Sequence, residues 1–285
     1  GQDQTRGWFY TLHVLAASLT SGKNSSIPKK ASCSSFKNVI VNGIVLAEDG
    51  KKMSKRLQNY PDPMEVLEKY GADAMRYYLV SSPVMYAENL NFSEEGVREV
   101  YNRVVNTLWN VFTFYEMFAK ELRIMNYELR ITDNVLDKWI LAKLQLLVKE
   151  VTENMNAYKL AEASRPIMDF VLELSQWYVR RSRDRFKGDN EADKRVALAT
   201  LHDVLQILSR VMAPFTPFIS EKIYQELKKS ATNAKDFPES VHLELWPSVG
   251  DDIDEKVLED MAEARKIVEA SLALRKDAKI KVRQI

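Results

Sequence analysis

Cysteine, histidine and long apolar segments are scarce or missing in this sequence. Cys33 is the single cysteine, which excludes an internal disulfide and favours a reducing, cytoplasmic setting. The histidines stand far apart, at positions 13, 202 and 242, and with one cysteine they give no zinc-binding spacing. We therefore expect no protein-bound metal in this segment. No window approaches the roughly 18 uncharged apolar residues of a membrane-spanning helix, so we expect no membrane association.

A strong net charge and a signal peptide are also missing. The 41 basic and 40 acidic residues leave a formal net charge of +1, so any RNA binding must come from local clustering. The first residues contain no basic region followed by an apolar stretch, and there is no initiator methionine. We expect the sequence to begin inside a longer protein. Its 285 residues predict about two domains.

Helical spacing of apolar residues dominates the sequence after a short β-branched run. That run, Phe36–Leu46, predicts a bent strand or hairpin, and Glu48-Asp49-Gly50 predicts a turn. Asp62-Pro63 is typical of a helix start, and Gly71 of a helix stop. Further helices are predicted at about 72–80, from 93, from 133 or 134 to about 155, 160–186, 191–212, 217–227 and 254–276. In residues 237–246 apolar and polar side chains alternate, which predicts an extended return segment.

Four of the six residues from Lys51 to Arg56 are cationic, and they follow a strand and a glycine turn. A mobile loop of this kind can close over phosphates, for which lysine is a good point-charge partner. An isolated basic hexamer is more often a solvated turn, so this segment alone leaves both interpretations open.

The neighbouring segments give this loop a family resemblance. Lys52-Met53-Ser54-Lys55-Arg56 resembles the second signature of class I aminoacyl-tRNA synthetases, which usually carries Ser where this sequence has Arg56. The approach Phe36–Gly43, the exit Asn59–Pro63 and the later segment Gly71–Arg76 resemble the same family in the same order.

The resemblance implies what this loop does. In the family it binds ATP and helps to form the aminoacyl adenylate, which implies catalytic roles for Lys52, Ser54 and Lys55. The lysines would stabilise negative charge at the phosphates, with Mg²⁺ bound to the nucleotide, and Ser54 would donate a further hydrogen bond. Lys55 is the residue most strongly expected to contact ATP.

The first nine residues carry a resemblance that indicates which amino acid is the substrate. Gly1-Gln2-Asp3-Gln4-Thr5-Arg6-Gly7-Trp8-Phe9 resembles the Gly-x-Asp-Gln-x-Arg-Gly-Trp-Phe segment of the isoleucyl branch, which differs from the valyl and leucyl branches here. The resemblance implies that Gly1 and Asp3 hold the adenosine ribose, that Gln4 contacts the aminoacyl part of the adenylate, and that Trp8 lines the isoleucine pocket. Without that context, Trp8 would more often be a core aromatic.

The densest basic cluster lies in Trp177–Phe186, which resembles the Trp-Tyr-x-Arg-Arg-Ser-Arg-Asp-Arg-Phe segment of the isoleucyl branch. Leu136–Leu141 resembles the start of the same branch's anticodon-binding bundle. Arginine binds phosphates and stacks on bases, although charged helices are as often solvated and salt-bridged. The resemblance implies that the cluster binds tRNA through Arg180, Arg181, Arg183 and Arg185.

Together these segments imply a mainly α fold. It consists of the C-terminal remnant of a Rossmann-like catalytic domain with a short β segment, followed by an antiparallel α-helical anticodon-binding bundle. We expect residues 1–50 to end the catalytic domain and 51–130 to carry the lysine loop and a helical stem-contact region. Residues 131–246 would form the anticodon-binding domain, and 247–285 the start of a C-terminal junction.

The implied activity is that of an isoleucine–tRNA ligase, a cytoplasmic monomer that uses ATP, isoleucine and tRNA(Ile). The family's first signature, His-Ile-Gly-His, and its editing domain are not in this sequence, so the 285 residues are expected to be inactive alone. Valyl specificity, a non-catalytic tRNA-binding module and a helical scaffold for proteins are the alternatives. The lysine loop argues against the module, and a scaffold predicts no salt-dependent RNA affinity.

Overall fold

The computed structural model describes residues 2–21, 34–54, 56, 59–119, 132–230, 237–250 and 253–281. In these ranges the chain is mainly α-helical, with one short parallel sheet. In chain order the elements are α1 (Trp8–Ser21), β1 (Val45–Leu46), α2 (Pro63–Val80), β2 (Leu90–Asn91), α3 (Glu94–Val100), α4 (Thr107–Ala119), α5 (Val135–Asn156), α6 (Leu160–Glu173), α7 (Arg180–Lys187), α8 (Glu191–Met212), α9 (Pro217–Ser230) and α10 (Glu255–Asp277). None of the helices described is long and apolar enough to cross a membrane.

Side-chain caps start several helices where the sequence predicts them. Asp62 accepts a hydrogen bond from the N–H of Met64 at the start of α2, and Ser93 accepts one from Gly96 at the start of α3. Asn134 caps α5 in the same way. Such caps satisfy N–H groups that have no partner within their own helix, which is why these polar residues predict helix starts well.

Two of the predicted long helices are continuous, but each contains a π-helical segment. Tyr101–Asn106 joins α3 to α4, and Leu174–Val179 joins α6 to α7. A π-helical segment inserts a wider turn without ending the helix. Apolar periodicity predicts one continuous helix in either case, so the sequence indicates the helices but not these turns.

The core lies between helices that follow one another closely in sequence. Helix α5 packs along α6 and also contacts α8 and α10, and α8 packs against α9. The largest fully buried side chains include Trp139 of α5, Tyr178 and Phe186. Residues 157–159 alone connect α5 to α6, so these two helices run in opposite directions, as expected for an up-and-down bundle.

The prediction of a bent strand or hairpin over Phe36–Leu46 is wrong for most of that run. Only Val45–Leu46 forms a strand, and it pairs in parallel with Leu90–Asn91. Helix α2 lies in the connection between the two strands, and parallel strands need such a crossover whereas a hairpin makes them antiparallel. Apolar alternation does not reveal which partner a strand finds.

A close backbone contact lies just before β1. The N–H of Gly43 donates to the carbonyl of Val84 at 2.8 Å, and a Cβ at Gly43 would stand 1.7 Å from the carbonyl oxygen of Glu88. Only glycine permits this approach.

The return segment is also less extended than predicted. A 3-10 turn at Val241–Leu243 interrupts it, and Ser240 caps that turn. Beyond the turn the chain follows α5, where the indole N–H of Trp246 donates to Thr152 at 2.7 Å and the N–H of Gly250 donates to the Gln145 side chain at 2.7 Å.

Gly71 divides α2 into two helical segments, as its predicted role of helix stop requires. Its φ of 80° and ψ of 160° lie in a region open almost only to glycine, and a Cβ there would meet no atom within 4 Å. Replacement by alanine therefore tests backbone strain without a steric clash.

We predict that Gly71→Ala lowers the free energy of unfolding by about 1–3 kcal/mol, the usual cost of such a backbone conformation. Urea denaturation followed by circular dichroism measures this change. Gly250→Ala is the control, since a Cβ there would make an ordinary contact 3.5 Å from the Gln145 side chain. Equal stability of Gly71→Ala and the wild type would contradict the prediction.

Candidate functional site

The lysine loop begins on a tight turn beside the parallel sheet. Lys52 forms an antiparallel bridge with Leu46 of β1, and the N–H of Ala47 donates to the carbonyl of Lys51 at 2.9 Å. Gly50 closes the turn with a φ of 77°. The Lys51 ammonium lies 3.0 Å from Asp49 and lowers the pKa of its carboxyl, and Asp49 also accepts the N–H of Lys51 at 3.1 Å. The predicted turn is confirmed, and it fixes where the loop leaves the sheet.

A single amide side chain holds the two sides of the loop together. The N–H of Ser54 donates to Asn59 Oδ1 at 2.9 Å, and Asn59 Nδ2 donates to the carbonyl of Lys52 at 3.2 Å. Asparagine suits this position because its amide donates and accepts at once. Met53, between the two bound residues, packs against the hydrophobic core. Sequence reasoning treated Asn59 only as part of the loop's exit and did not identify this contact.

Two of the three predicted catalytic residues, Lys52 and Ser54, lie at this anchored base. The Lys52 side chain is exposed, and Ser54 is half-buried beside Asn59. Lys55, the strongest candidate for ATP contact, lies outside the described residues.

Of the N-terminal candidates, Asp3 and Gln4 lie on a 3-10 turn, Gln2–Thr5, and Trp8 is the first residue of α1. Gly1 and the side chain of Asp3 lie outside the described part of the chain. Gln4 Oε1 accepts the N–H of Trp8 at 3.3 Å and so caps α1. Trp8 is 65% exposed, so the structure gives it no place in the core.

An aromatic contact joins α1 to the approach of the lysine loop. The Phe9 ring meets the Phe36 ring edge-on at 5.4 Å between centroids. Phe36 opens the segment that runs into β1, so the N-terminal candidates and the loop connect to the same stretch of chain.

Three of the four predicted RNA-binding arginines are exposed, and Arg185 is the exception. Its guanidinium makes two hydrogen bonds to Asp137, at 2.7 and 2.9 Å, and three to Asp193, at 2.7–3.0 Å. The Arg185 side chain is only 12% exposed and that of Asp137 is fully buried. Arg185 holds the pKa of Asp193 below its usual value. We therefore take Arg185 out of the RNA-contacting set, because its donors already bind buried Asp137 and partly exposed Asp193.

Arg180, Arg181 and Arg183 are exposed on α7. The Arg181 guanidinium lies 4.4 Å from the centre of the Trp177 ring, and Arg265 of α10 lies 5.3 Å from the same ring. These planar groups form a stack at the surface, and guanidinium planes also stack on nucleic-acid bases.

A cleft of about 550 Å³ adjoins this stack. Its lining includes Arg180 and Lys143, together with Glu173, which pairs with Lys143 at 2.9 Å and also with Arg265. The arginine cluster therefore borders a polar recess between the bundle and α10.

Two family models match the chain. Residues 137–284 match "Anticodon-binding domain of tRNA ligase", and residues 1–91 match "tRNA synthetases class I (I, L, M and V)". The chain belongs to the tRNA ligase family. The two matches fall on the arginine-bearing bundle and on the segment with the lysine loop, in the order that the sequence motifs predict.

Curated relatives are similar over the whole chain. The isoleucine–tRNA ligase of Chlamydia trachomatis serovar D is 46% identical over 293 residues, and that of Protochlamydia amoebophila is 44% identical over 290. Each match covers 100% of this chain and 26% of the relative. The chain thus spans about a quarter of the length of these curated ligases.

One solved structure is similar to this chain, and at its low sequence identity the similarity concerns only the fold. The LeuRS of Agrobacterium radiobacter, crystallised in a ternary complex with tRNA and LeuAMS, matches with a TM-score of 0.52 at 24% identity. The match covers 76% of this chain and 24% of that one. The predicted fold class, mainly α with a short β segment, is confirmed for this member of the family.

We predict that Arg185→Ala lowers the free energy of unfolding by about 3–5 kcal/mol, because it leaves the Asp137 carboxylate buried without its cation. Arg183→Ala is the matched control on the same helix, and its exposed side chain predicts a change within about 0.5 kcal/mol. Urea denaturation of both variants measures the difference. Equal losses would contradict a structural role for Arg185.

Proposed function

We propose that this chain is part of an isoleucine–tRNA ligase, which activates isoleucine with ATP and transfers it to tRNA(Ile). The observation that carries the proposal is the order of two features in one chain. A lysine segment anchored by β1 and Asn59 comes first, and a helical bundle with exposed arginines follows. The isoleucyl pattern of Gln2–Phe9 and the similarity to curated isoleucine–tRNA ligases support the choice of amino acid.

In the first step the isoleucine carboxylate attacks the α-phosphate of ATP, giving isoleucyl-adenylate and releasing pyrophosphate. Negative charge builds on the phosphates, and Lys52 and Lys55 would stabilise it as point charges. Ser54 would donate a hydrogen bond to the same groups. Mg²⁺ would arrive with the nucleotide as part of the substrate. The bonds from Asn59 favour this role because they fix the backbone on both sides of Met53.

The N-terminal segment would bind the rest of the adenylate. Gly1 and Asp3 would hold the ribose, since a carboxylate accepts hydrogen bonds from sugar hydroxyls. Gln4 would contact the aminoacyl part and Trp8 the isoleucine side chain. The exposure of Trp8 leaves its ring available to a ligand. Gln4 would exchange its bond to the N–H of Trp8 for one to the adenylate.

In the second step the 2′-hydroxyl of the terminal tRNA adenosine attacks the carbonyl carbon of isoleucyl-adenylate, forming an ester and releasing AMP. Arg180, Arg181 and Arg183 would hold the RNA backbone, a kind of contact that positions RNA without reading its sequence. The stack of Arg181 on Trp177 supports this role, because it presents a rigid planar cation at the surface.

The domain organisation stays a prediction. We propose boundaries at residues 50, 130 and 246 between the end of the catalytic domain, the lysine-loop and stem-contact region, the anticodon-binding domain and the junction. We also propose that the complete ligase is a cytoplasmic monomer.

Exchange of labelled pyrophosphate into ATP tests the first step, with protein expressed from the complete reading frame. We predict that isoleucine supports exchange with a kcat/KM at least about tenfold above that of valine, the lower bound for one methylene in an apolar pocket. A preference for valine would favour the valyl alternative, and no exchange with either amino acid would contradict the proposed activity.

In the same assay, Lys52→Ala should lower kcat by about 100-fold, since it removes one charge that stabilises the transition state. Lys51→Ala is the matched control, because the neighbouring lysine forms an exposed ion pair with Asp49 and has no proposed contact with ATP. Equal losses in the two variants would argue against a specific role for Lys52.

The tRNA-binding role predicts a change in salt dependence. Each of Arg180→Ala, Arg181→Ala and Arg183→Ala should reduce the slope of log affinity against log salt by up to about one, because each phosphate contact releases counterions. Filter binding at several salt concentrations measures the slope. Arg98→Ala, on the exposed face of α3, is the control. Unchanged slopes in all three variants would favour the scaffold alternative.

A further inference from the structure

A buried carboxylate of α2 caps a helix that begins far along the chain. Asp73 is 5% exposed. Its Oδ2 accepts the N–H of Ile219 at 2.7 Å, and its Oδ1 accepts the N–H of Phe218 at 3.2 Å. These N–H groups lie in the first turn of α9, 145 and 146 residues after Asp73. Helix starts are usually capped by a residue next to them, so this cap joins two distant parts of the chain.

The local residue does not supply this cap. Thr216 immediately precedes α9, but its hydroxyl lies 3.3 Å from the carbonyl of Met212 and 3.4 Å from the Ser220 hydroxyl. The N–H groups of Phe218 and Ile219 therefore depend on Asp73.

A second side chain of α2 holds the other side of the same turn. Arg76 Nη2 donates to the carbonyl of Pro214 at 3.2 Å. Arg76 follows Asp73 by three residues, so both side chains lie on one face of the helix. One donates to a carbonyl before α9 and the other accepts N–H groups within it. We call Asp73 and Arg76 the α2 clamp.

Two more contacts hold the same stretch of α2 against α6. The Tyr77 hydroxyl donates to the carbonyl of Ser164, and Arg165 Nε donates to the carbonyl of Ser81 at 3.3 Å. The second half of α2 is thus attached to two helices of the arginine-bearing bundle.

The first half of α2 connects to the lysine loop. Asp62, which caps α2, follows Asn59 by only three residues, and Asn59 holds the backbone of Lys52 and Ser54. The loop's anchor therefore lies just before the first segment of α2, and the clamp lies in the second segment, after the kink at Gly71.

Burial and the clamp act in opposite directions on the Asp73 carboxyl, and burial has the larger effect. Burial raises the pKa of the Asp73 carboxyl, whereas the two backbone N–H groups and Arg76 act to lower it. An asparagine of the same shape would accept one N–H through its oxygen and turn an NH₂ group toward the other. The substitution therefore weakens this cap specifically.

We propose that Asp73 and Arg76 are positioning residues that set the bundle relative to the lysine loop for transfer of the amino acid to tRNA. The inference rests on the proposed function. In the proposed function, adenylate formation uses the catalytic part of the ligase, which includes the loop and the N-terminal segment, and does not involve the bundle. For transfer, a tRNA held at Arg180–Arg183 must also bring its terminal adenosine to the adenylate. A substitution far from the reacting atoms that misplaces the substrate by about 1 Å can lower the rate about 100-fold.

The test compares the two half-reactions in protein expressed from the complete reading frame. For Asp73→Asn, we expect kcat/KM for tRNA aminoacylation to fall at least tenfold and isoleucine-dependent pyrophosphate exchange to stay within twofold. Arg76→Gln should show the same split with a smaller loss, and Arg76→Lys, which keeps a donor, should restore part of it. A merely structural defect would lower both reactions together.

Asp254→Asn is the matched control. Asp254 caps α10 through the N–H of Val257, it is exposed, and asparagine caps such a helix start as well as aspartate does. Neither reaction should change in this variant.

Each outcome decides a separate point. Equal losses in both reactions, or full aminoacylation by folded Asp73→Asn, would overturn the inference and leave the proposed function intact. If Asp73→Asn does not fold, Arg76→Gln decides by the same split, because its side chain is exposed. A wild-type protein without isoleucine-dependent exchange contradicts the proposed function, and this inference with it.

Discussion

A carboxylate with no access to water holds the helical half of this chain together. Asp137 lies in the first turn of α5. It accepts hydrogen bonds from the Tyr178 hydroxyl at 2.8 Å, from the Thr132 hydroxyl at 2.9 Å and from the guanidinium of Arg185. Arg185 also binds Asp193 of α8. A buried charge destabilises a protein unless it is paired and hydrogen-bonded. Here the donors are Thr132, just before α5, and two side chains of the continuous helix that contains Tyr178 and Arg185. The arginine-rich helix is thereby fixed in rotation, and its remaining arginines face solvent.

That arrangement divides the arginines of one short helix between the interior and the surface. Arg185 points inward and stabilises the bundle, whereas Arg180, Arg181 and Arg183 remain exposed. A phosphate-binding surface needs cations held in place without being neutralised by their own protein. The inward ion pair supplies the fixed position, and the exposed arginines supply the charge.

The lysine loop depends on a different kind of support. A two-residue parallel strand pair, one bridge and one asparagine amide define its base, and the close approach at Gly43 brings the incoming chain against Glu88. Helix α2 then connects this base to the bundle. The loop and the arginine-bearing helix α7 are far apart in sequence, but packed elements link them.

The sequence by itself determined the helices, their caps and the family. The capping residues Asp62, Ser93 and Asn134 bind N–H groups two or three residues away, and apolar spacing along one helix is also a local property. Both can therefore be recognised from the sequence alone. The lysine and arginine motifs were legible for the same reason. Only the tertiary structure decided that β1 pairs in parallel with β2, that Arg185 turns inward to the buried Asp137 and that Asp73 caps α9. Those outcomes depend on partners up to 146 residues away, and identical arginines in one motif carry no local signal of which one turns inward.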